Sequence, residues 1–540
     1  MRLALSLLFV AVVMIACIIC NKVSTRLGIP MLLAFILLGM FFGSDGVIKI
    51  PFDNFTFAEQ TCSIALIFIM FYGGFGTKWS EARPSAGKAL VLSSFGTVLT
   101  AGLVAVFCYF ALRIPVLESM LIGSVISSTD AASVFAILRS KRLNLKDGTA
   151  PLLEVESGSN DPFSYMLTVI VLSMMQGEAA GGALAYNILA QIVFGALGGV
   201  LIAFGALAVL RRFRFATSGF DAIFVVAVAL FAYAAPMLIG GNGYLSAYIV
   251  GILLGNRPLK NKTALVHFFD GLTGLAQMLI FFLLGLLSFP SRLPQVMLPA
   301  LAIALFLTLV ARPAAVFLLL TPFRSPLRQQ LIVSWAGLRG AASIVFAILV
   351  VTSPVTTQND IFHIIFFIVL FSILIQGSLL PWISKKLGMI DAHTDVLKSF
   401  NDYSNELPVQ FVQSKVEAAH PWANRAVRDI ELPPNTLLMI LQRDGRSITP
   451  RGNTVLLPGD LLVIGAKTFD VRGTIHLSEI VLEPGNEWIG KQLAEIEFEP
   501  DKLVALVYRR GKIMIPSGKT TLREGDVVIL NQPEAPVPVP

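Results

Sequence analysis

The sequence predicts an all-α polytopic membrane protein followed by cytoplasmic α+β modules. Hydrophobic residues make up 55% of the 540 residues and charged residues only 14%. Mean hydropathy is +0.76, and apolar runs of about 20 residues, the length that crosses a bilayer, recur through most of the chain. From about residue 400 onward, polar residues, Pro and Gly appear at the frequency of a soluble domain. This change in composition predicts a membrane part and a soluble tail.

Thirteen apolar segments are predicted to cross the membrane. The first, residues 3–21, is interpreted as a spanning helix and not as a signal peptide, because its apolar stretch is long and a second one follows at once. The other twelve are residues 29–43, 58–76, 88–111, 116–138, 152–175, 186–210, 220–239, 243–256, 264–288, 295–321, 329–352 and 360–383.

The basic residues between these segments predict their orientation. Residues 1–386 contain 25 Lys and Arg against 14 Asp and Glu, whereas residues 387–540 contain 16 against 20. If the N-terminus is outside, the inner connections carry 19 basic residues and the outer connections 4. Basic residues concentrate on the cytoplasmic side of membrane proteins, so the chain is predicted to be N-out and C-in. The basic surplus belongs to the membrane part and needs no nucleic-acid partner to explain it.

The tail contains an internal repeat. Residues 422–464 align without gaps on residues 488–530, and 13 of the 43 positions are identical. Each copy is predicted to form a short helix, a strand, a turn at Arg-Asp-Gly or Arg-Arg-Gly, a second strand, and a final strand after Gly-Asp. The predicted domains are therefore a membrane domain at 1–390, a linker at 391–405 and two modules at 406–471 and 472–540.

One predicted span carries acidic residues where water is scarce. Residues 152–171 read as the start of a membrane helix, yet they include Glu154, Glu156 and Asp161. A charge inside the bilayer is costly and persists there mainly for function. Glu154 is interpreted as lying at the cytoplasmic end of the helix, whereas Asp161 is the deepest of the three acids and is the candidate functional group.

The residues around Asp161 offer several oxygen ligands. Ser157 precedes Asp161 by four residues, so both lie on one helix face. Asn160 is the immediate neighbour of Asp161, and Pro162 cannot donate the hydrogen bond that the carbonyl of Gly158 would receive in a regular helix. A carboxylate, a hydroxyl, an amide and a spare carbonyl are hard ligands that suit an alkali cation or a proton.

Two spans contain candidate helix breaks. Residues 127–130, Ser-Ser-Thr-Asp, have side chains that compete for backbone hydrogen bonds. In the twelfth span Arg339 lies between Gly337 and Gly340. Two interrupted spans of opposite orientation are typical of an inverted-repeat transporter with its site at the membrane midplane. Asp130 is then expected to neutralise helix N-termini, while Arg339 needs an acid.

Five motifs together resemble the NhaP-type monovalent cation/proton antiporters. The resemblance covers about residues 1–390 and is strongest to the potassium/proton antiporters that are also called cell volume regulation protein A. The motifs are SSTDAASVFAILR from residue 127, LLEVESGSNDP from residue 152, LLGNRPLKN, FFDGL and AQ within 253–277, VARP at 310–313, and GLRGAASI at 337–344.

The resemblance implies how the ion is bound. Asn160 and Asp161 would form the ion-binding motif, and Asp161 would bind either a cation or a proton, never both. Thr129 and Asp130 would lie where the broken helices cross. Thr129 and Ser157 would lend oxygens to the monovalent cation.

The resemblance also implies a structural pair and a stoichiometry. Glu156 and Arg339 would form a buried ion pair beside the site. Family members with Asn before the Asp resemble electroneutral one-for-one exchangers, and this chain has Asn160 at that position. One carboxylate that exchanges K⁺ or Na⁺ for H⁺ moves no net charge in a cycle.

Each tail module looks like a TrkA-C (RCK-C) domain, which many potassium transporters and channels carry. Such modules often bind small ligands, including cyclic dinucleotides, so regulation by the tail is expected. The tail has no G-x-G-x-x-G after a strand, and no cofactor is expected. The family further implies a homodimer in the cytoplasmic (inner) membrane, with K⁺ or Na⁺ and H⁺ as the substrates.

Two positions depart from the family pattern, and two other functions remain open. Tyr72 stands where related sequences usually have an acid, and Ala342 and Ser343 replace a Val-Pro pair. A Na⁺/H⁺ antiporter of the same fold is the nearest alternative. A cation channel gated by the RCK-C tail is another, although no T-V-G-Y-G filter is present. An enzyme is not expected, because there is no H-E-x-x-H motif or nucleophile elbow.

Overall fold

The computed structural model of the chain forms two compact units, residues 1–404 and 405–540. Most of the predicted linker 391–405 lies outside the described residues. The structure describes residues 2–532 except 28–29, 142, 178–180, 214–218, 260, 392–408, 419, 434–435, 444–445, 468–475, 497, 499–502, 510–511 and 515.

The first unit is helical. Its first nine helices are α1 Arg2–Leu27, α2 Met31–Phe42, α3 Phe55–Gly76, α4 Trp79–Val91, α5 Thr97–Leu112, α6 Val116–Ile126, α7 Ala131–Ser140, α8 Thr149–Met175 and α9 Gly182–Arg212. The remaining helices are α10 Phe220–Met237, α11 Gly243–Gly255, α12 Lys262–Leu287, α13 Leu293–Phe306, α14 Arg312–Leu320, α15 Leu327–Trp335, α16 Ala341–Thr352, α17 Ile361–Phe371 and α18 Ser378–Lys386.

The length and apolarity of these helices confirm a polytopic membrane protein. In the described part of the chain, eight helical segments are long and apolar enough to cross a bilayer, and four shorter apolar helices accompany them. The count of thirteen spans, the N-out orientation and the inverted repeat stay predictions. The eight segments are Phe55–Gly76, Trp79–Leu112, Val116–Leu138, Gly182–Arg212, Phe220–Met237, Lys262–Leu287, Pro290–Leu320 and Ile361–Lys386.

Two helix pairs are interrupted at the positions that the sequence predicted. Residues 127–130 separate α6 from α7, and residues 336–340 separate α15 from α16. Three other segments contain a π-helical turn, which widens the helix and often occurs at functional sites. These turns are Leu92–Gly96 between α4 and α5, Leu307–Ala311 before α14, and Ser372–Gly377 before α18.

Helix α8 lies in the interior of the bundle and carries the acidic segment. It contacts α4, α6, α11 and both members of each interrupted pair. Elsewhere glycines allow close backbone contact, as expected for helices that pack in lipid. A Cβ on Gly285 of α12 would overlap the carbonyl of Ile36 in α2, and one on Gly251 of α11 would overlap that of Phe71 in α3.

One small sheet marks the end of the bundle from which the chain leaves for the tail. Strand β1, Asn144–Leu145, precedes α8 and pairs antiparallel with β2, Ile390–Asp391, which follows α18. The backbone N–H of Lys146 also donates to the carbonyl of Met389 at 2.9 Å. The start of α8 therefore lies at the tail-exit end, and the C-terminal end of α8 lies at the opposite end of the bundle.

The second unit contains two antiparallel sheets of the same topology. The orders are β3-β6-β4-β5 and β7-β10-β8-β9, and each copy has a three-residue 3₁₀ turn in place of the predicted short helix. Strands β3 and β7 precede the repeat that the sequence revealed. The strands are β3 Val409–Lys415, β4 Thr436–Arg443, β5 Arg446–Ile448, β6 Leu461–Lys467, β7 His476–Val481, β8 Leu503–Arg509, β9 Lys512–Met514 and β10 Val527–Gln532.

Candidate functional site

The two interruptions meet in the middle of the first unit. The backbone N–H of Asp130 donates to the carbonyl of Leu338 at 2.8 Å. Gly340 faces the Asp130 carboxylate so closely that a Cβ on Gly340 would overlap it. The sequence places polar residues in one break and glycines in the other, and here they fit against each other.

Asp130 lies at two helix N-termini. It accepts from the backbone N–H of Ser133 at 3.2 Å and from the Ser133 hydroxyl, so it caps α7. Gly340, which it touches, is the residue before α16. An anion is stabilised at a helix N-terminus by the unpaired N–H groups and the helix dipole. The carboxylate of Asp130 thus caps the N-terminus of α7 and lies against the N-terminal end of α16.

Arg339 lies at a helix C-terminus. Its Nη1 donates to the carbonyl of Ser127 at 3.0 Å and also to that of Ser128, at the end of α6. The backbone N–H of Arg339 donates to Ser372 Oγ at 3.0 Å. Ser372 belongs to the π turn before α18. A cation at these carbonyls complements the negative end of α6.

The predicted ion pair between Glu156 and Arg339 is wrong. Glu156 pairs instead with Arg312, whose Nη2 lies 2.9 Å from Glu156 Oε2, and both side chains are buried. Arg339 instead directs its Nη1 to the carbonyls at the end of α6, and its Nε and Nη2 have no hydrogen-bond partner among the described residues. Arg312 is brought to α8 by the π turn that precedes α14, and Gly337 makes room for it, since a Cβ there would lie 2.9 Å from Arg312 Nε. The sequence feature that could have indicated Arg312 as the partner is that it lies inside a predicted span, as Arg339 does.

Asp161 differs from Glu156 and Asp130, the other acids of the crossing. It is only 6% exposed, and its Oδ1 accepts from the Ser128 hydroxyl. In the described part of the chain no basic side chain forms an ion pair with Asp161. The sequence analysis did not select Ser128 as a site residue, although it stands in the same Ser-Ser-Thr-Asp run as Thr129 and Asp130.

The other predicted ligands lie beside Asp161 and bind each other. Asn160 Nδ2 donates to Thr129 Oγ1 at 2.6 Å. Ser157 Oγ donates to the Thr129 carbonyl at 2.8 Å and accepts from the N–H of Ala131 at 2.8 Å. Each hydroxyl oxygen can accept two hydrogen bonds, so Thr129 and Ser157 each retain one lone pair for a further ligand. The structure therefore brings all the predicted oxygen ligands to one place.

The two departures from the family pattern lie on helices α3 and α16. Tyr72 of α3 donates its hydroxyl to Asp270 Oδ1 of α12 at 3.3 Å. Ser343 is buried in the first turn of α16.

The fold and the site define a class of protein. Two interrupted membrane helices that cross beside a buried carboxylate, with oxygen ligands around it, are characteristic of a secondary ion transporter. A continuous pore is not needed by such a protein, because the site itself is presented to each side in turn.

Comparisons with known proteins agree with this class and specify it. Residues 10–386 match the family model for the transmembrane sodium/hydrogen exchanger, and residues 411–470 and 477–530 match the TrkA-C domain. The chain is 33% identical to the K⁺/H⁺ antiporter NhaP of Alkalimonas amylolytica over 86% of this chain and 82% of that protein. It is 31% identical to the K⁺/H⁺ antiporter NhaP2 of Shewanella sp. (strain ANA-3) over 94% of this chain and 78% of that protein.

A solved structure shares the fold of the first unit. The sodium proton antiporter MjNhaP1 from Methanocaldococcus jannaschii superposes with a TM-score of 0.63 at 22% identity, over 72% of this chain and 99% of that one. The chain belongs to the sodium/hydrogen exchanger family and resembles its NhaP branch. It is a monovalent cation/proton antiporter, a multi-pass membrane protein with a TrkA-C tail, and not an enzyme.

Proposed function

We propose that this antiporter exchanges K⁺ for H⁺ and that Asp161 binds the two ions in turn. The supporting observation is the state of the acids at the crossing. Arg312 neutralises Glu156, and the ends of α7 and α16 engage Asp130. Among the described residues, Asp161 has only the Ser128 hydroxyl as a partner. A buried carboxylate needs a counter-charge, and a transported proton or cation supplies it.

Competition between the two ions follows from this arrangement. A protonated Asp161 has no negative charge with which to hold a cation, and a bound cation repels a proton from the same oxygens. Asn160 is neutral and adds no second charge. One H⁺ is therefore exchanged for one monovalent cation, and the transport cycle is electroneutral.

The cation is proposed to bind Asp161, Thr129 and Ser157 together. Each of the two hydroxyls has one lone pair left after the hydrogen bonds described above. Asn160 holds Thr129 in place, and Glu156 with Arg312 keeps α8 in register with α14. Alternating access would expose this set of oxygens to one side of the membrane and then to the other.

We assign K⁺ and not Na⁺ as the transported cation on the basis of the relatives and the tail. The two relatives that share about a third of their residues with this chain are named K⁺/H⁺ antiporters, and the TrkA-C modules extend the likeness. We further propose that the chain lies in the cytoplasmic membrane as a homodimer with its tail in the cytoplasm. A small ligand, such as a cyclic dinucleotide, would bind the tail and regulate exchange.

Ion exchange in everted membrane vesicles with an imposed pH gradient tests the proposal. K⁺, Na⁺, Li⁺ or Rb⁺ is added, and dissipation of the gradient is followed for the parent chain and for Asp161→Asn. Asp53→Asn, at an exposed loop position, is the matched control. We expect K⁺ to collapse the gradient in the parent and the control and to have no effect in Asp161→Asn.

Other outcomes would change the proposal in defined ways. A response to Na⁺ alone would retain the mechanism and overturn the potassium assignment. Cation flux without proton movement in Asp161→Asn would favour the channel. Electroneutrality is tested separately with protein on a solid-supported membrane, where a sustained transport current on addition of K⁺ would exclude one-for-one exchange.

A further inference from the structure

A crevice opens at the end of the bundle opposite the tail exit. It has a volume of about 210 Å³ and lies between the C-terminal half of α8, the start of α9 and the end of α10. Its polar lining residues are Tyr165, Ser173, Tyr186, Asn187 and Gln191, and none of the described residues that line it is charged. The mechanism above assigns no role to this space.

Gln191 is the unusual residue of this crevice. It is only 9% exposed, and its amide oxygen has no hydrogen-bond partner among the described residues. Buried polar groups are nearly always hydrogen-bonded, so one that lacks a partner at the wall of a cavity needs an explanation. An occupant of the crevice, either water or a cation, would satisfy it.

Gln191 also connects the crevice with the neighbourhood of Asp161. It lines a second cavity of about 10 Å³ together with Pro162 and Asn242, a volume close to that of one water molecule. Asn242 Nδ2 donates to the carbonyl of Pro162 at 2.8 Å, and Pro162 directly follows Asp161. Gln191 thus lines both the crevice and the small cavity that borders Pro162, the residue after Asp161.

Aromatic rings border the crevice near Asp161. Tyr165 lies about one helical turn beyond Asp161 on α8, and its ring packs against Tyr244 at 5.0 Å and Phe346 at 5.7 Å between centroids. Phe346 belongs to α16, one of the interrupted helices. These ring faces offer no ligand to a partly hydrated ion, whereas the Gln191 amide oxygen does.

We propose that the crevice is a transit site for an alkali cation. There the cation binds the Gln191 amide oxygen on its way between Asp161 and the membrane side opposite the tail-exit end of the bundle. Neutral oxygens such as those of Gln191, Ser173 and Tyr165 replace part of the hydration shell. Because no carboxylate takes part among the described lining residues, binding is weak enough for the ion to leave again. This inference rests on the proposed exchange function and adds the path to one face.

Initial exchange rates measured from each face test the inference. Right-side-out and everted vesicles present opposite faces to added K⁺, and the apparent KM is compared for the parent, Gln191→Leu, Gln191→Glu and the control Leu189→Met, whose side chain is exposed on the same helix. We compare the ratio of the KM for K⁺ at the crevice face to the KM at the opposite face. For Gln191→Leu we expect this KM ratio to rise at least threefold.

The opposite change is expected when a charge is added. Gln191→Glu should lower the same KM ratio at least threefold, and Leu189→Met should leave it unchanged. The ion gradients, and not the protein, fix the equilibrium of the exchange. A variant that changes the KM ratio must therefore change the ratio of the maximal rates in the two directions by the same factor. An unchanged KM ratio in both Gln191 variants would overturn the inference and make Gln191 a structural or water-binding residue.

A second measurement does not depend on transport. The Gln191→Cys change is made in a Cys20→Ser background, because Cys17, Cys62 and Cys108 are buried. A small, membrane-impermeant methanethiosulfonate should modify this variant from the crevice face only. Replacing choline by K⁺ should slow the reaction at least twofold, whereas an equal rate in both salts would contradict cation binding at this point.

The two proposals fail in distinguishable ways. If Asp161→Asn still exchanges K⁺ for H⁺, the proposed function fails. If Asp161→Asn is inactive but both Gln191 variants behave like Leu189→Met, only the transit site fails.

Discussion

The two units of the chain use buried acids in different ways. In the tail, Asp460 receives two hydrogen bonds from Arg443, at 2.7 and 2.8 Å. Asp526 receives the same two from Arg509, at 2.6 and 2.7 Å. Each Asp in addition accepts from a backbone N–H in its own turn. These buried carboxylates are thus fully neutralised, and their role is to hold a sheet together.

At the helix crossing of the membrane unit, the acids differ in the groups that compensate their charge. Glu156 has Arg312, and Asp130 has two helix N-termini, but Asp161 has only a hydroxyl among the residues that the structure describes. An unneutralised charge would destabilise a protein that had no use for it. The comparison supports the proposal that the acid without a protein counter-charge is the transport site and that the paired acids are structural.

The largest effect is expected from closing the space between the two interruptions. In Gly340→Ala the new Cβ would overlap the Asp130 carboxylate and push the crossing helices apart. We expect the exchange rate to fall at least tenfold in vesicles. Gly102→Ala, where a Cβ would meet nothing within 4 Å, should retain the parent rate. Normal exchange by Gly340→Ala would show that the crossing tolerates displacement.

The partner of Glu156 is tested by a double-mutant cycle. Removing one member of a buried ion pair costs about 3–5 kcal/mol because the other charge is left uncompensated. Arg312→Met and Glu156→Gln should each lower the thermal unfolding temperature in detergent, and the double variant should lose less than the sum of the two. The cycle of Glu156→Gln with Arg339→Met should show a weaker coupling. Stronger coupling to Arg339 would restore the pair that the sequence analysis predicted.

The paired acids of the tail predict a pH dependence. The hydrogen bond from Arg443 holds the pKa of Asp460 below its ordinary value, which is about 3.9. The pair therefore stabilises its module above that pH, and the stabilisation is lost as the pH falls through the lowered pKa. In the full chain, the protection of the β6 amides, measured as their exchange rate relative to the intrinsic rate at each pH, should be high at pH 7 and should fall below about pH 4.

A variant separates this pair from other acid-labile groups. Arg443→Met should lower the protection of β6 at pH 7 and reduce its further loss below about pH 4, while β10 in the second module keeps the parent behaviour. An unchanged pH dependence in β6 would show that the pair contributes little to the module.

The smallest effect is expected from a helix cap. Ser157→Ala removes the acceptor for the N–H of Ala131 at the start of α7, and loss of an N-terminal cap costs about 0.5–2 kcal/mol. The unfolding temperature should fall by a few degrees, and the apparent KM for K⁺ should rise if Ser157 is a ligand. Ser94→Ala, which loses only a bond within its own exposed helix, is the control. A lower unfolding temperature with unchanged KM would confine Ser157 to capping.

The sequence by itself determined the features that depend on local pattern. Hydrophobic runs indicated the membrane helices, because a span must satisfy its own backbone and face lipid. The polar run at 127–130 and the glycines beside Arg339 located both interruptions. The repeat at an offset of 66 residues predicted two copies of one module, and the sheets have the same strand order.

Only the tertiary structure decided which distant groups meet. Arg312 is 156 positions from Glu156, and Ser128 is 33 positions from Asp161. No periodic pattern encodes such separations, because the choice depends on how the helices cross and on a π turn that shifts the register of α14. Two arginines inside predicted spans were equal candidates for Glu156 by composition. Packing assigned one to the acid and the other to the carbonyl end of α6, and in the described part of the chain it gave Asp161 no basic partner.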